Sequence, residues 1–79
     1  MEVIEYSSKH CSPCQEMKSE LKKLKKAGFK VSIVDCDKNM SECRGIQSVP
    51  TLIIKKGRRS KKMVGFMTAE EIKSNFDKL

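Results

Sequence analysis

The sequence predicts an α/β domain: a four-stranded mixed sheet flanked by three helices, ordered βαβαββα, over residues 1–79. Three observations carry that prediction. An apolar strand, an amphipathic helix and a second apolar strand succeed one another between Val3 and Asp35, which is a βαβ unit with a parallel pair and a right-handed crossover. Two further strand patterns then flank a turn at Lys56-Gly57. Finally, Thr68-Ala69-Glu70-Glu71 reads as a capping box opening a terminal helix.

The elements run in order. Val3–Tyr6 is a short, mostly apolar strand. The first helix begins at or just after Cys11 and runs to about Ala27. Cys14, Met17, Leu21 and Leu24 recur at steps of three and four, making one buried stripe, with lysines on the other faces and Gly28 as the stop. Pro13 is tolerated because the first helical turn has no internal partner for an N–H. Val31–Asp35 is the second strand. Asn39 followed by Glu42 has the capping-box spacing and predicts a short helix ending near Gly45. Val49–Ile54 is the third strand and Lys62–Val64 the fourth, antiparallel to it. Ile72, Phe76 and Leu79 give the last helix its apolar face.

Composition bounds the class. Seventy-nine residues make one small domain with a small core, and with no Trp, one Tyr and three Phe the aliphatic residues and Met do the packing. No apolar run approaches the roughly 20 residues that cross a bilayer. The start, Met1-Glu2-Val3-Ile4-Glu5-Tyr6, lacks the basic and long apolar regions of a signal peptide, which predicts a cytoplasmic protein without a membrane association. The net charge of +7 comes without aromatics interleaved among the basic residues, so no specific nucleic acid is expected. Six positive charges fall in Lys55–Lys62, a solvated turn by default and otherwise an electrostatic dock for an acidic partner.

Four cysteines fall into C-x2-C, a gap of 21 residues, and C-x6-C. A zinc ribbon requires two short knuckles and only the first pair supplies one, so no metal site is expected. Cys11-Ser12-Pro13-Cys14 sits between a strand and a helix, the context of a reversible disulfide. Cys11 at the helix N-terminus gains thiolate character from unpaired N–H groups and the helix dipole. It is the nucleophile that attacks a substrate disulfide; Cys14, one turn inward, resolves the mixed disulfide. Cys36 and Cys43 read as small buried hydrophobes; a disulfide between them is the less favoured reading.

Strand, C-x-x-C and helix in a βαβ unit resembles the thioredoxin family. Gly45-Ile46-Gln47-Ser48-Val49-Pro50-Thr51-Leu52 is similar to the segment in which a cis-proline faces the disulfide, and its Pro50 lies 36 residues after Cys14. Gly57 and Val64-Gly65-Phe66 fit the hairpin and the glycine beyond it. The resemblance covers essentially the whole chain, in the compact form of glutaredoxins and the smallest thioredoxins. It implies a thioredoxin fold and a dithiol–disulfide oxidoreductase whose only redox group is the Cys11–Cys14 pair, with no added cofactor. It implies protein disulfides as substrates, a monomer, and a flavoprotein or ferredoxin-linked thioredoxin reductase as electron donor.

The same resemblance assigns the surroundings of the disulfide. A cis Pro50 leaves the Val49 backbone free to pair with an extended substrate, with Ser12, Pro13 and Gly65 bordering the groove. Glu5, six residues before Cys11, matches a buried carboxylate that accepts the proton of the second cysteine; a solvated strand charge is the competing reading. The family often places a Lys beside that acid, and Ile33 stands there instead. His10 replaces the usual aromatic before the motif, either exposed or favouring the thiolate when protonated. Two other functions stay open. A glutaredoxin using glutathione is one, although Val64-Gly65-Phe66-Met67 lacks the Gly-Gly pair and acid that hold it. A metal-binding or accessory module on the same fold is the other.

Overall fold

The computed structural model describes residues 1–79. Its elements are β1 (Glu2–Ser7), α1 (Ser12–Lys26), β2 (Lys30–Asp35), β3 (Thr51–Lys56), β4 (Arg59–Val64) and α2 (Ala69–Asp77). The sheet order is β2-β1-β3-β4, with β1 and β2 parallel and β3 antiparallel to both β1 and β4. The mixed sheet is the one the sequence predicts. No helix is long and apolar enough to cross a membrane.

Both helices pack on one face of the sheet. The predicted stripe of α1 is buried: Cys14, Met17, Leu21 and Leu24 point inward. Met17, Leu21 and Leu24 share one core with Val3 of β1, Leu52 and Ile54 of β3, Met63 of β4, and Ala69, Ile72 and Phe76 of α2. Phe29 closes the far end with its ring edge against Phe76, centroids 5.2 Å apart. The capping box of α2 is complete, since the Glu71 amide donates to Thr68 Oγ1 and the Thr68 amide donates to Glu71 Oε1. A second tie joins the helices: the Ala69 amide donates to Glu20 Oε1 of α1 at 2.8 Å.

The third helix, expected between Asn39 and Gly45, does not form. Residues 36–46 make consecutive turns in which Glu42, Cys43 and Arg44 amides donate to the carbonyls of Asn39, Met40 and Ser41. The segment carries no apolar stripe to bury, and its large apolar side chain, Met40, is 77% exposed. Without a buried face a helix this short has nothing to offset nucleation. A Cys36–Cys43 disulfide closes the turns instead. The expectation that these two cysteines are free core hydrophobes is therefore corrected: they are bridged and half-buried.

The hairpin is also longer than its sequence pattern. β3 starts two residues later than expected, because Pro50 has no N–H for the ladder. At the other end Lys56 pairs with Arg59, leaving a two-residue loop of Gly57 and Arg58. Gly57 has φ +60° and no non-glycine residue has positive φ, which is the type II′ pattern with glycine at the first central position.

Candidate active site

Three segments that the sequence singles out meet at one end of the sheet. β1 runs toward that end and passes through residues 8–11 into α1. β3 is antiparallel to β1, with Tyr6 opposite Thr51, so Val49 and Pro50 enter the sheet at the same end. Thr51 pairs with Val64, so Gly65 leaves there as well. Topology thus gathers Cys11–Cys14, Val49-Pro50 and Gly65, while the Lys55–Lys62 hairpin lies at the opposite pole.

Cys11 is the N-cap of α1 and is bonded to Cys14 across a Cα–Cα distance of 5.2 Å. The Cys14 amide donates to Cys11 Sγ at 3.2 Å, a contact that favours negative charge on that sulfur. Pro13 in the first turn removes one donor, which leaves the Cys14 amide as the one directed at the sulfur. Cys11 is partly exposed and Cys14 is 1% exposed, so a substrate sulfur can reach only the first. Ser12 and Pro13 are exposed beside it.

The Val49–Pro50 peptide is cis. Pro50 is buried, Val49 is half-buried, and the Thr51 hydroxyl donates to the Ser48 carbonyl at 2.7 Å, which holds the segment. The Gly65 amide donates to the Pro50 carbonyl at 2.8 Å, locking β4's exit to the proline. Gly65 adopts φ +102°, a conformation that side chains resist. Val64 and Phe66 on either side are 59% and 42% exposed, an apolar rim that sequence reasoning did not single out. His10 is exposed.

Glu5 is wholly buried on the helix-facing side of β1, and neither carboxylate oxygen has a hydrogen-bond partner. Between the two readings of this residue, the buried one holds. Desolvation pushes its pKa up to about 7, partly opposed by the positive charge of Lys18 on α1. Glu5 pairs in register with Ile33 of β2, so the neighbouring strand offers it no cation.

Two functional contributors were not legible beforehand. Asp37, in the turns after β2, accepts from the Ser8 hydroxyl and from the Lys9 amide, both at 3.0 Å. These bonds hold the loop that delivers Cys11, and the Lys9 amide followed by the Ser8 hydroxyl keeps the Asp37 carboxyl below its ordinary range. The Cys36–Cys43 bridge encloses Asp37 and so shapes the loop that grips Ser8 and Lys9. Their only sequence signal is the second cysteine pair. No group of three His, Cys, Asp or Glu side chains is arranged to hold a metal ion.

Comparison with known proteins agrees with this geometry. The thioredoxin family profile matches residues 1–78. A malarial protein of known structure superposes with a TM-score of 0.89 at 26% identity, covering 98% of this chain and 93% of its own. Thioredoxin-2, a component of the malaria parasite protein secretion machinery, superposes at 0.89 with 27% identity, covering 99% and 82%. Oxidised mitochondrial thioredoxin 3 from Saccharomyces cerevisiae reaches 0.84 at 22% identity, covering 99% and 77%, a likeness of fold. A search of curated sequences finds no match. With the profile running from end to end over a disulfide at a helix N-terminus, the chain belongs to the thioredoxin family and is a thiol–disulfide oxidoreductase.

Proposed function

We propose that this protein reduces disulfides in other proteins, with Cys11 as nucleophile and Cys14 as resolving thiol, and is recycled by a thioredoxin-reductase-type partner. The observation that carries the reading is the pairing of a half-exposed Cys11 at the N-cap with a buried Cys14 one turn inward. In the reduced protein the Cys11 thiolate attacks one substrate sulfur, and the second substrate sulfur leaves as a thiolate. The substrate chain lies extended along Val49, beside Pro50, Ser12, Pro13 and Gly65, with its apolar side chains on Val64 and Phe66. Glu5 then takes the proton of the Cys14 thiol, and the Cys14 thiolate attacks Cys11 Sγ, breaking its bond to the first substrate sulfur, which leaves as a thiolate. The substrate gains two electrons; its two thiolates take one proton by way of Glu5, which is thereby deprotonated again, and one from water, and the Cys11–Cys14 disulfide is restored. No further cofactor is needed, and we place the reaction in the cytoplasm with the protein acting as a monomer.

The test is a disulfide-reduction assay on the whole chain, coupled either to a thioredoxin reductase or to glutathione with its reductase. Cys11→Ser is expected to abolish turnover, and Cys14→Ser to accumulate the mixed disulfide. Normal turnover by Cys11→Ser overturns the assignment. Recycling by glutathione alone replaces the thioredoxin reading with the glutaredoxin one.

A further inference from the structure

β2 is an outer strand of the sheet, and its free edge is open over a short, defined stretch. The Lys30 amide donates to the Met1 carbonyl at 2.9 Å and the Cys36 amide to the Ser7 carbonyl at 2.8 Å. By the two-residue alternation of a parallel ladder, the even-numbered residues of β2 face β1 and Val31, Ile33 and Asp35 face outward. The Asp35 carbonyl is taken by the Lys38 and Asn39 amides. Val31 and Ile33 therefore keep backbone donors and acceptors available for another strand. Neither proline nor a bulge protects this edge.

The side chains of the same two residues face α1, since Val31 pairs with Val3 and Ile33 with Glu5 on the core side. Between them and the helix lies an open groove of about 350 Å³ lined by Lys18, Leu21, Lys22, Lys25, Val31 and Ile33. Its floor is apolar, and Ile33 is 49% exposed there. Its rim is three lysines, none of which has a carboxylate in salt-bridge range, because the one ion pair of the protein joins Lys23 to Glu20.

We propose that this groove receives an extended acidic segment of a partner protein, which adds to β2 as a fifth strand. Its backbone pairs with Val31 and Ile33, one apolar side chain rests on Leu21, Val31 and Ile33, and flanking carboxylates meet the lysines. The geometry sets the pattern. Alternate residues of a strand face the groove, so acid-x-apolar-x-acid puts two carboxylates about 13 Å apart. Lys18 and Lys25 are separated by about 10 Å along the helix axis, a difference their long side chains absorb. Charge selects the occupant. A second copy of this chain, at net +7, would bring its own three lysines against these, so the groove is not a self-association surface. The groove lies beside β2 rather than at the disulfide; of its lysines Lys18 also bears on Glu5, so the substitutions that test the proposal are placed at Lys22 and Lys25.

The experiment is an NMR titration of the whole oxidised protein with the blocked peptide Thr-Glu-Thr-Val-Thr-Glu-Thr, at low and high salt. Saturable shifts are expected at the Val31 and Ile33 amides and along Lys18–Lys25, weakening as salt screens the charges. Lys22→Glu with Lys25→Glu should weaken binding at least tenfold while leaving disulfide reduction unchanged. Ile33→Pro removes an outward-facing donor that no internal bond uses, and should abolish pairing. The proposal is overturned by shifts confined to other surfaces, by no saturable shift, or by equal binding of a peptide with Lys in place of both Glu. Wild-type affinity in the Lys22→Glu, Lys25→Glu variant, whose changes lie on an exposed helix face, overturns it independently of how the proline variant folds.

Discussion

Replacing Glu5 by Gln should change the pH dependence of stability more than stability itself. The buried carboxyl holds its proton up to about 7, whereas in the unfolded chain it releases it near 4.5. Between those values the native state binds the extra proton, so stability is greatest below 4.5 and falls as pH rises through 7. A gap of about 2.5 pH units at about 1.4 kcal/mol each makes the loss about 3.5 kcal/mol over the full titration, a large share of what a small domain has. About 2.5 kcal/mol of this falls between pH 5 and pH 8, so with a urea m-value of about 1 kcal/mol/M the midpoint of the oxidised protein should drop by about 2.5 M. Gln keeps the shape and cannot ionise, so Glu5→Gln should lack this component. Its amide, like the protonated carboxyl it replaces, finds no hydrogen-bond partner, so the two proteins should differ little at pH 5. The two stability curves should therefore diverge as pH rises, with the variant the stronger at pH 8. Every other titratable group is common to both proteins, so the difference isolates Glu5. Parallel curves would refute the buried-carboxylate reasoning.

Two further perturbations test the frame around the disulfide. Cys36→Ser with Cys43→Ser opens a loop of six intervening residues, and chain entropy alone predicts a loss of about 2 kcal/mol; an unchanged denaturation midpoint would mean the bridge does not constrain the unfolded chain. Glu20→Ala removes the acceptor of the Ala69 amide, so exchange at Ala69 should quicken and α2 should loosen from α1. The Ala69 amide and then Lys23 hold the Glu20 carboxyl below its ordinary range, so its contribution is present above that range and is lost as pH falls through the lowered value. A wild-type acid limb in Glu20→Ala would contradict this.

What the sequence revealed depended on how local the signal is. The α1 stripe and the Thr68–Glu71 cap are each written within one element, and both are found where predicted. Asn39 and Glu42 carry the same capping signature as Thr68 and Glu71, yet only the second opens a helix. The difference lies in the residues beyond the cap. Ile72 and Phe76 give α2 a face to bury, whereas Met40 points to solvent. A cap marks where a helix can begin, and burial decides whether it does. Asp37 was beyond reach because its role depends on a loop 28 residues away. Glu5 was ambiguous for another reason. In β1 the alternation puts Val3, Glu5 and Ser7 on one face and Ile4 and Tyr6 on the other, so hydropathy alone favours the wrong face as core. The βαβ crossover resolves it, because α1 must cover the face that carries Glu5.

The electrostatics of that buried acid turn on Ile33. The strand position beside Glu5, where the family often has a lysine, holds an apolar side chain that is half exposed. The positive charge acting on Glu5 comes instead from Lys18, on the helix one turn after Cys14. A lysine on a strand would be fixed by the sheet, whereas Lys18 is an exposed side chain at the rim of the α1–β2 groove. An acceptor near pH 7 needs a carboxylate neither fully neutralised by a fixed cation nor left to desolvation alone. Under the proposed mechanism the exposed Lys18 supplies that partial neutralisation. The pKa of Glu5 is thus set jointly by the sheet, which buries it, and by the helix, which carries Lys18. The same helix therefore carries both the buried Cys14 and the cation that opposes the upward shift of Glu5.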